Sequence, residues 1–280
     1  MLLSTLLTIF LSAPVFAEQF QAPVTDTRWQ IIESPLECSL TQPIPGFGEA
    51  GFYRRNGGPL MLTFSTFSQP ALQTNVQFDI AEAPWQNSEA HIALTSISTQ
   101  KGQQEFTIDG LYAQQALAHL QDGRFPLIRY RSQTSMTDIS VMLSTIHLSD
   151  SLPAFQQCLS NLYPDTFNEV QYLTVYFDLE KSDLDAAAQK ALTRLANYVK
   201  VDDSIQEVHI TSHTDNHGRR RLNEPLSDAR SAAIKNFLVQ HEVPEQLITT
   251  QSFVERKPAV SNKTQMGRAQ NRRAEITLIR

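Results

Sequence analysis

The stretch TSHTDNHGRRRLNEPLSDAR, residues 211–230, decides the fold of the second half of the chain. It begins inside IQEVHITSHT (205–214), where apolar and polar residues alternate as in a strand. It ends inside SDARSAAIKNFLVQH (227–241), where apolar residues recur at helical spacing. A strand, a polar turn and a helix make one step of an α/β unit, and the neighbouring segments supply the other steps. VQYLTVYFD (170–178) reads as a strand. DLDAAAQKALTRLANYVK (183–200) reads as a helix of about five turns with Leu184, Ala188, Ala191, Leu195 and Val199 on its apolar face. QLITTQSF (246–253) and AEITLIR (274–280) read as further strands. This order predicts a mixed sheet with helices on one face.

Three chemistries compete for the turn inside the quoted stretch. His209, His213 and His217 are spaced by four, which on a helix would suit a metal. Here the segment alternates as a strand, so four residues span about 13 Å, too far for shared ligands of one zinc ion. Arg219, Arg220 and Arg221 form a short basic run, but the net charge of the chain is −6 and its start looks exported, which argues against nucleic acid. The third option is a ligand bearing both a carboxylate and an ammonium. Ser227 is a candidate N-cap, which places Arg230 in the first turn of a helix. A cation there opposes the helix dipole by about 0.3–1 kcal/mol, and a bound carboxylate offsets it. Asp215 is then placed to meet an ammonium. A plain salt bridge between Asp215 and Arg230 fits the same residues equally well.

The chain opens MLLSTLLTIFLSAPVFA, an apolar run followed by small residues at Val15 and Ala17. It reads as a secretory signal, residues 1–17, cut before Glu18, although a basic residue is missing at the start. Glu18 and Gln19 end the run short of the roughly 20 residues a membrane anchor needs. In an exported chain the two cysteines, Cys38 and Cys158, favour a disulfide. It would close a 120-residue loop (158 − 38) and make most of the first half one folding unit.

That first half is acidic, with 7 basic and 13 acidic side chains in residues 1–164, whereas residues 165–280 carry 16 of each. Short alternating runs, WQIIES, FYRR, LMLTFST, NVQFDIA, HIALTSIS, FPLIRYR and ISVMLSTIH, are separated by clusters such as PIPGFG and RNGGP. They predict an antiparallel β barrel or sandwich. LYAQQALAHLQDG (111–123) and LPAFQQCLSNLY (152–163) read as two helices, the second carrying Cys158. PDTFN (164–168) reads as the linker.

Motifs narrow the reading further. Thr214, Asp215, Gly218, Asn223, Leu226, Ser227, Arg230, Gly267, Arg268, Asn271, Arg272 and Arg273 fall at the spacing of the peptidoglycan-binding OmpA-like domain, which residues 165–280 resemble. Ser212 stands where that family usually has glycine, and Pro225 is compatible with a helix start just after it. The resemblance implies that Asp215 takes the ammonium and Arg230 the carboxylate of diaminopimelate in the wall's stem peptide. Asn223 and Asn271 would give polar support, with Arg272 nearby. On this reading Arg230→Ala weakens wall binding and leaves the domain folded. In the first half, PLEC (35–38), PIPGFG (43–48), APW (83–85), GRFP (123–126) and the AFQQCLSNL segment are similar to the N-terminal region of the flagellar MotY family.

The fold expected is therefore α+β. An N-terminal antiparallel β barrel or sandwich, residues 18–164, precedes an OmpA-like α/β sandwich with a mixed sheet, residues 165–280. The family resemblance implies a periplasmic protein, bound to peptidoglycan at the basal body near the outer membrane, in a ring with a MotX-like companion. It would help PomA/PomB-like stator units to assemble. A general, non-flagellar envelope anchor is the alternative. An enzyme is the rival of another class: Ser98-Thr99-Gln100-Lys101 matches S-x-x-K, but its companion motifs are missing and it falls at a strand end. The expectation is a protein with no catalytic, metal or cofactor site and no nucleic-acid partner.

Overall fold

The computed structural model describes residues 17–72, 75–86 and 90–280, so the expected signal segment lies outside the described residues apart from Ala17. The alternating runs of the first half form β1 (Glu18–Gln21), β2 (Gln30–Glu33), β3 (Glu37–Ile44), β4 (Gly48–Arg55), β5 (Met61–Thr66), β6 (Asn75–Ala81), β7 (His91–Ser98), β8 (Glu105–Asp109), β9 (Phe125–Arg131) and β10 (Asp138–Met142). Two helices join them, α1 (Gly110–Gln121) and α2 (Leu148–Ser160). The strands make two five-stranded sheets, in the orders β1-β10-β9-β6-β7 and β2-β3-β4-β5-β8. This is a sandwich and not a closed barrel. Alternate residues of both sheets meet in one core, with Leu40, Phe52, Phe64 and Phe106 from one sheet and Val76, Phe78, Ile128 and Val141 from the other.

Three features depart from the sequence reading. β1 lies parallel to β10, so the unit is not purely antiparallel. ECSLTQPI is a strand running through Pro43, and of PIPGFG only Pro45, Gly46 and Phe47 form the turn of the β3–β4 hairpin. Proline is tolerated because β2 covers β3 only from Cys38 to Thr41, leaving the Pro43 end without a partner on that side. Gly48 opens β4 at φ +155°, and a Cβ there would stand 2.0 Å from the Ser65 carbonyl oxygen of β5. Only glycine lets β5 come this close.

Cys38 in β3 and Cys158 in α2 are bonded, with their Cα atoms 5.9 Å apart, which staples α2 onto the sheet. The first compact unit ends at Leu162 and the second is Tyr163–Arg280.

The second unit contains α3 (Phe167–Val170), β11 (Tyr172–Tyr176), α4 (Ala186–Val201), β12 (Glu207–His213), α5 (Arg220–Gln240), β13 (Ile248–Val254), α6 (Gln265–Asn271) and β14 (Arg273–Ile279). Its sheet runs β11-β14-β12-β13. β14 is antiparallel to both neighbours and β12 parallel to β13, giving a mixed sheet. The PDTFN linker turns out to start α3, where Thr166 and Glu169 form a capping box.

The largest correction concerns α5. It starts at Arg220, so Ser227 is not its N-cap, Arg230 is not in its first turn, and Pro225 lies inside the helix. The early start is hidden in the sequence because the buried stripe, Asn223, Ser227, Arg230, Ser231, Ile234 and Leu238, is polar for its first four members. A search for apolar periodicity starts too late on such a stripe. The Ser227 hydroxyl instead meets that of Ser212 on β12 at 3.0 Å, in a fully buried pair. This gives Ser212, the residue in the usual glycine position, a packing role between strand and helix.

Candidate ligand-binding site

The site forms where β12 ends. A register shift at Ser212 and His213 turns the chain out of the sheet and into the loop that leads to α5. Asp215 folds this loop on itself, since its Oδ1 accepts the His217 N–H at 2.9 Å, and Gly218 follows at φ +91°. From α5, the Asn223 amide donates to the carbonyls of His217 at 3.1 Å and Asp215 at 3.4 Å. The Asp215 side chain is thereby fixed, with the residue 4% exposed.

Arg272, just after α6, donates from Nε to the Phe177 carbonyl at 3.1 Å and from Nη1 to Asp215 Oδ2 at 3.0 Å. The ion pair of Asp215 is with Arg272 and not with Arg230, so the plain Asp215–Arg230 salt bridge does not form. Arg230 is completely buried. Its guanidinium donates to the carbonyls of Lys181 (3.0 Å), His213 (2.9 Å) and Asp178 (3.2 Å), and lies 5.0 Å from the centre of the Phe177 ring. The bonds to residues 178 and 181 bracket Glu180, whose φ of +57° is a left-handed conformation costing on the order of 1–2 kcal/mol. Arg230 is thus the clamp that holds the loop after β11 in shape.

These groups surround a cavity of about 360 Å³. Its charged lining consists of Asp215, Glu180, Arg230 and Arg272, two of each sign, with Leu179, Leu222 and Leu226 as apolar walls. Burial and the neighbouring Arg272 charge lower the Arg230 pKa to about 10, with Asp215 offsetting part of the effect. Arg230 remains a cation at neutral pH, in a place where a further anion is favoured. Thr214 also lines the cavity, and its Oγ1 is buried with no hydrogen-bond partner among the described residues. Such an orphan hydroxyl is unusual in a folded interior.

Asp215, Asn223, Arg230 and Arg272 therefore converge on one cavity. Asn271 does not line it. Fully buried, Asn271 accepts from the N–H groups of Ala259 (2.8 Å) and Val260 (3.1 Å) and donates to Val260 O and Asn262 Oδ1, both at 2.8 Å. It shapes the loop before α6. Leu179 and Glu180 escaped the sequence reading, because no motif marks the loop after β11, and Thr214 enters that reading only as a motif position.

The histidines do not converge. His209 contacts the Thr249 hydroxyl at 2.8 Å, whereas His213 is buried against Phe253, and no cluster of three metal-ligating side chains occurs among the described residues. Ser98 ends β7 with its hydroxyl 3.5 Å from Asn75 Oδ1, while exposed Lys101 follows in a turn, so the S-x-x-K match has no helix to organise it.

His213 carries a testable consequence. It is 2% exposed, and burial together with the Arg273 charge pushes its pKa down to about 4, against a weaker pull from Glu275 at 4.0 Å. The unfolded chain binds this proton below about pH 6.5. The stabilisation from keeping His213 neutral is thus complete above pH 6.5 and is lost as pH falls towards 4, by on the order of 3 kcal/mol. Urea midpoints between pH 7 and pH 4.5 should fall less steeply for His213→Phe than for the native chain. Parallel curves would refute this assignment.

Comparison with known proteins agrees with this architecture. Residues 176–272 match the OmpA family, so the cavity belongs to an OmpA-type domain in the second half of a two-domain chain. Residues 20–164 match the MotY N-terminal domain, and the chain belongs to the MotY family. It is 28% identical over 271 residues to the sodium-type flagellar protein MotY of Vibrio parahaemolyticus, covering 95% of this chain and 92% of that one. It is 33% identical to the peptidoglycan-associated lipoprotein of Pseudomonas aeruginosa over 103 residues, which are 37% of this chain and 60% of that relative. A crystal structure of the Burkholderia pseudomallei peptidoglycan-associated lipoprotein aligns with 38% of this chain and 89% of its own, at 26% identity and a TM-score of 0.36.

Proposed function

We propose that this chain is a periplasmic flagellar motor component whose second unit grips the peptidoglycan stem peptide while its first unit docks at the basal body. The carrying observation is the cavity whose lining holds Asp215 and Glu180 together with Arg230 and Arg272. Two charges of each sign suit a ligand that is itself zwitterionic, as the free end of diaminopimelate is. Asp215 takes the ammonium. Arg272 and the electrostatic field of buried Arg230 take the carboxylate, and Thr214 Oγ1 supplies a hydroxyl partner. Membership of the MotY family supports a first unit that meets a MotX-like companion and the basal body, so that PomA/PomB-like stator units assemble around a wall-fixed ring. The role is binding and not catalysis.

Asp215→Asn is the direct test. Asparagine keeps an oxygen for the His217 N–H, but it removes the charge and sets an NH2 donor where Oδ2 accepted from Arg272 Nη1, so the urea midpoint is measured beside binding. Its cosedimentation with purified sacculi should weaken by about 10- to 100-fold, equivalent to about 1.4–2.7 kcal/mol. A folded Asp215→Asn chain that sediments like the native protein would count against the stem-peptide reading. For the flagellar part, a strain lacking the gene should carry intact filaments that do not turn, whereas normal swimming would favour a general envelope anchor.

A further inference from the structure

A second cavity of about 630 Å³ adjoins the first and shares the Arg272 side chain with it. The loop after β11 separates the two. Leu179 and Glu180 line the first cavity, while Asp178 and Lys181 line the second. Tyr176 at the end of β11, Asp183 and Asp185 before α4, and Met266 and Gln270 of α6 are among its other lining residues.

Most of the charge here is already committed. Asp178 pairs with Lys181 at 3.2 Å, Asp185 caps α4 through the Ala188 N–H at 2.7 Å, and Arg272 pairs with Asp215. Asp183 has no hydrogen bond or ion pair among the described residues, so it is the carboxylate left for a ligand. Three acids against two cations make this lining net acidic, unlike the balanced first cavity, so a carboxylate-bearing ligand is disfavoured. Tyr176 is 56% exposed and Met266 75% exposed. A half-bare aromatic ring and a bare thioether, beside an acceptor-only carboxylate and an amide, suit a molecule with one apolar face and a rim of hydroxyls.

We infer that the second cavity is a carbohydrate subsite that holds an uncharged pyranose of the wall glycan. Tyr176 and Met266 lie against the sugar face, Asp183 accepts a hydroxyl hydrogen, and the Gln270 amide serves a second polar group. The inference rests on the stem-peptide reading of the first cavity, because a peptide seated there is covalently joined to a sugar and Arg272 lines both cavities.

The test is calorimetric titration of the full chain with two probes. One is the tripeptide L-Ala-γ-D-Glu-diaminopimelate, and the other is the same tripeptide carrying its N-acetylglucosamine–N-acetylmuramic acid disaccharide. The native chain should bind the disaccharide form about 5- to 10-fold more tightly. Tyr176→Ser and Asp183→Asn alter exposed side chains, and each should cut that advantage to about 2-fold or less while leaving the affinity for the bare tripeptide unchanged. Equal native affinities for the two probes would overturn the sugar subsite and leave the peptide site standing. An advantage that survives both substitutions would overturn it as well. A native chain that binds neither probe would overturn both readings.

Discussion

Replacing Arg230 by alanine is expected to destabilise the second unit by about 3–5 kcal/mol, and to lose wall binding as a consequence of lost structure. The buried guanidinium ties the carbonyls of Asp178, Lys181 and His213 together, and alanine leaves all three without this donor in a poorly hydrated place. It also opens a void under Phe177 and releases the loop that carries Glu180 in its left-handed conformation. Arg230→Lys should recover little, because one ammonium cannot reach three carbonyls in a planar fork. Both tryptophans, Trp29 and Trp85, lie in the first unit, so the loss should appear in far-UV circular dichroism while tryptophan fluorescence keeps its native urea midpoint. Unchanged unfolding of Arg230→Ala would refute the clamp. The motif alone suggests a ligand contact whose removal spares the fold. The three carbonyls held by Arg230 point to a structural loss instead, and for that reason Asp215→Asn, read beside its own urea midpoint, is the better binding variant.

The second large effect belongs to the disulfide. In the chain-entropy account, the bond closing a loop across 120 residues stabilises the first unit by about 4–5 kcal/mol. The variant carrying both Cys38→Ser and Cys158→Ser should therefore shift the tryptophan-reported midpoint strongly downward and leave the second unit's transition in place. Reduction of the native chain should do the same. If the oxidised and reduced chains unfold at one midpoint, the bond does not stabilise the unit.

What could be read from the sequence depended on the kind of signal involved. Strands such as LMLTFST and NVQFDIA alternate cleanly because one face of each sheet is buried. Asp215 and Arg230 were legible through spacing, since motif positions survive without knowledge of contacts. The early start of α5 was not legible, because Asn223, Ser227 and Arg230 fill core positions with polar side chains whose partners lie outside the helix, on the preceding loop, β12 and the loop after β11. The same holds for Arg272. Its pairing with Asp215 spans 57 residues, and nothing local announces it. β3 was hidden by Pro43 within it and by the Pro and Gly residues of the turn that follows, which mark a loop unless a neighbouring strand is seen to end early.

The pairing of β1 with β10 bears on the order of events at birth. Glu18 sits opposite Ile139, 121 residues downstream (139 − 18), and Cys38 must wait for Cys158. Synthesis delivers the amino end first, so an unpaired strand and a bare thiol stand open until almost the whole unit exists. Contacts this distant in sequence form slowly, and the waiting chain is open to association. With only two cysteines there is a single intramolecular pairing, so internal scrambling cannot occur. The hazard during that interval is a bond to another molecule's thiol, and a brisk supply of oxidant after Cys158 emerges is what shortens it.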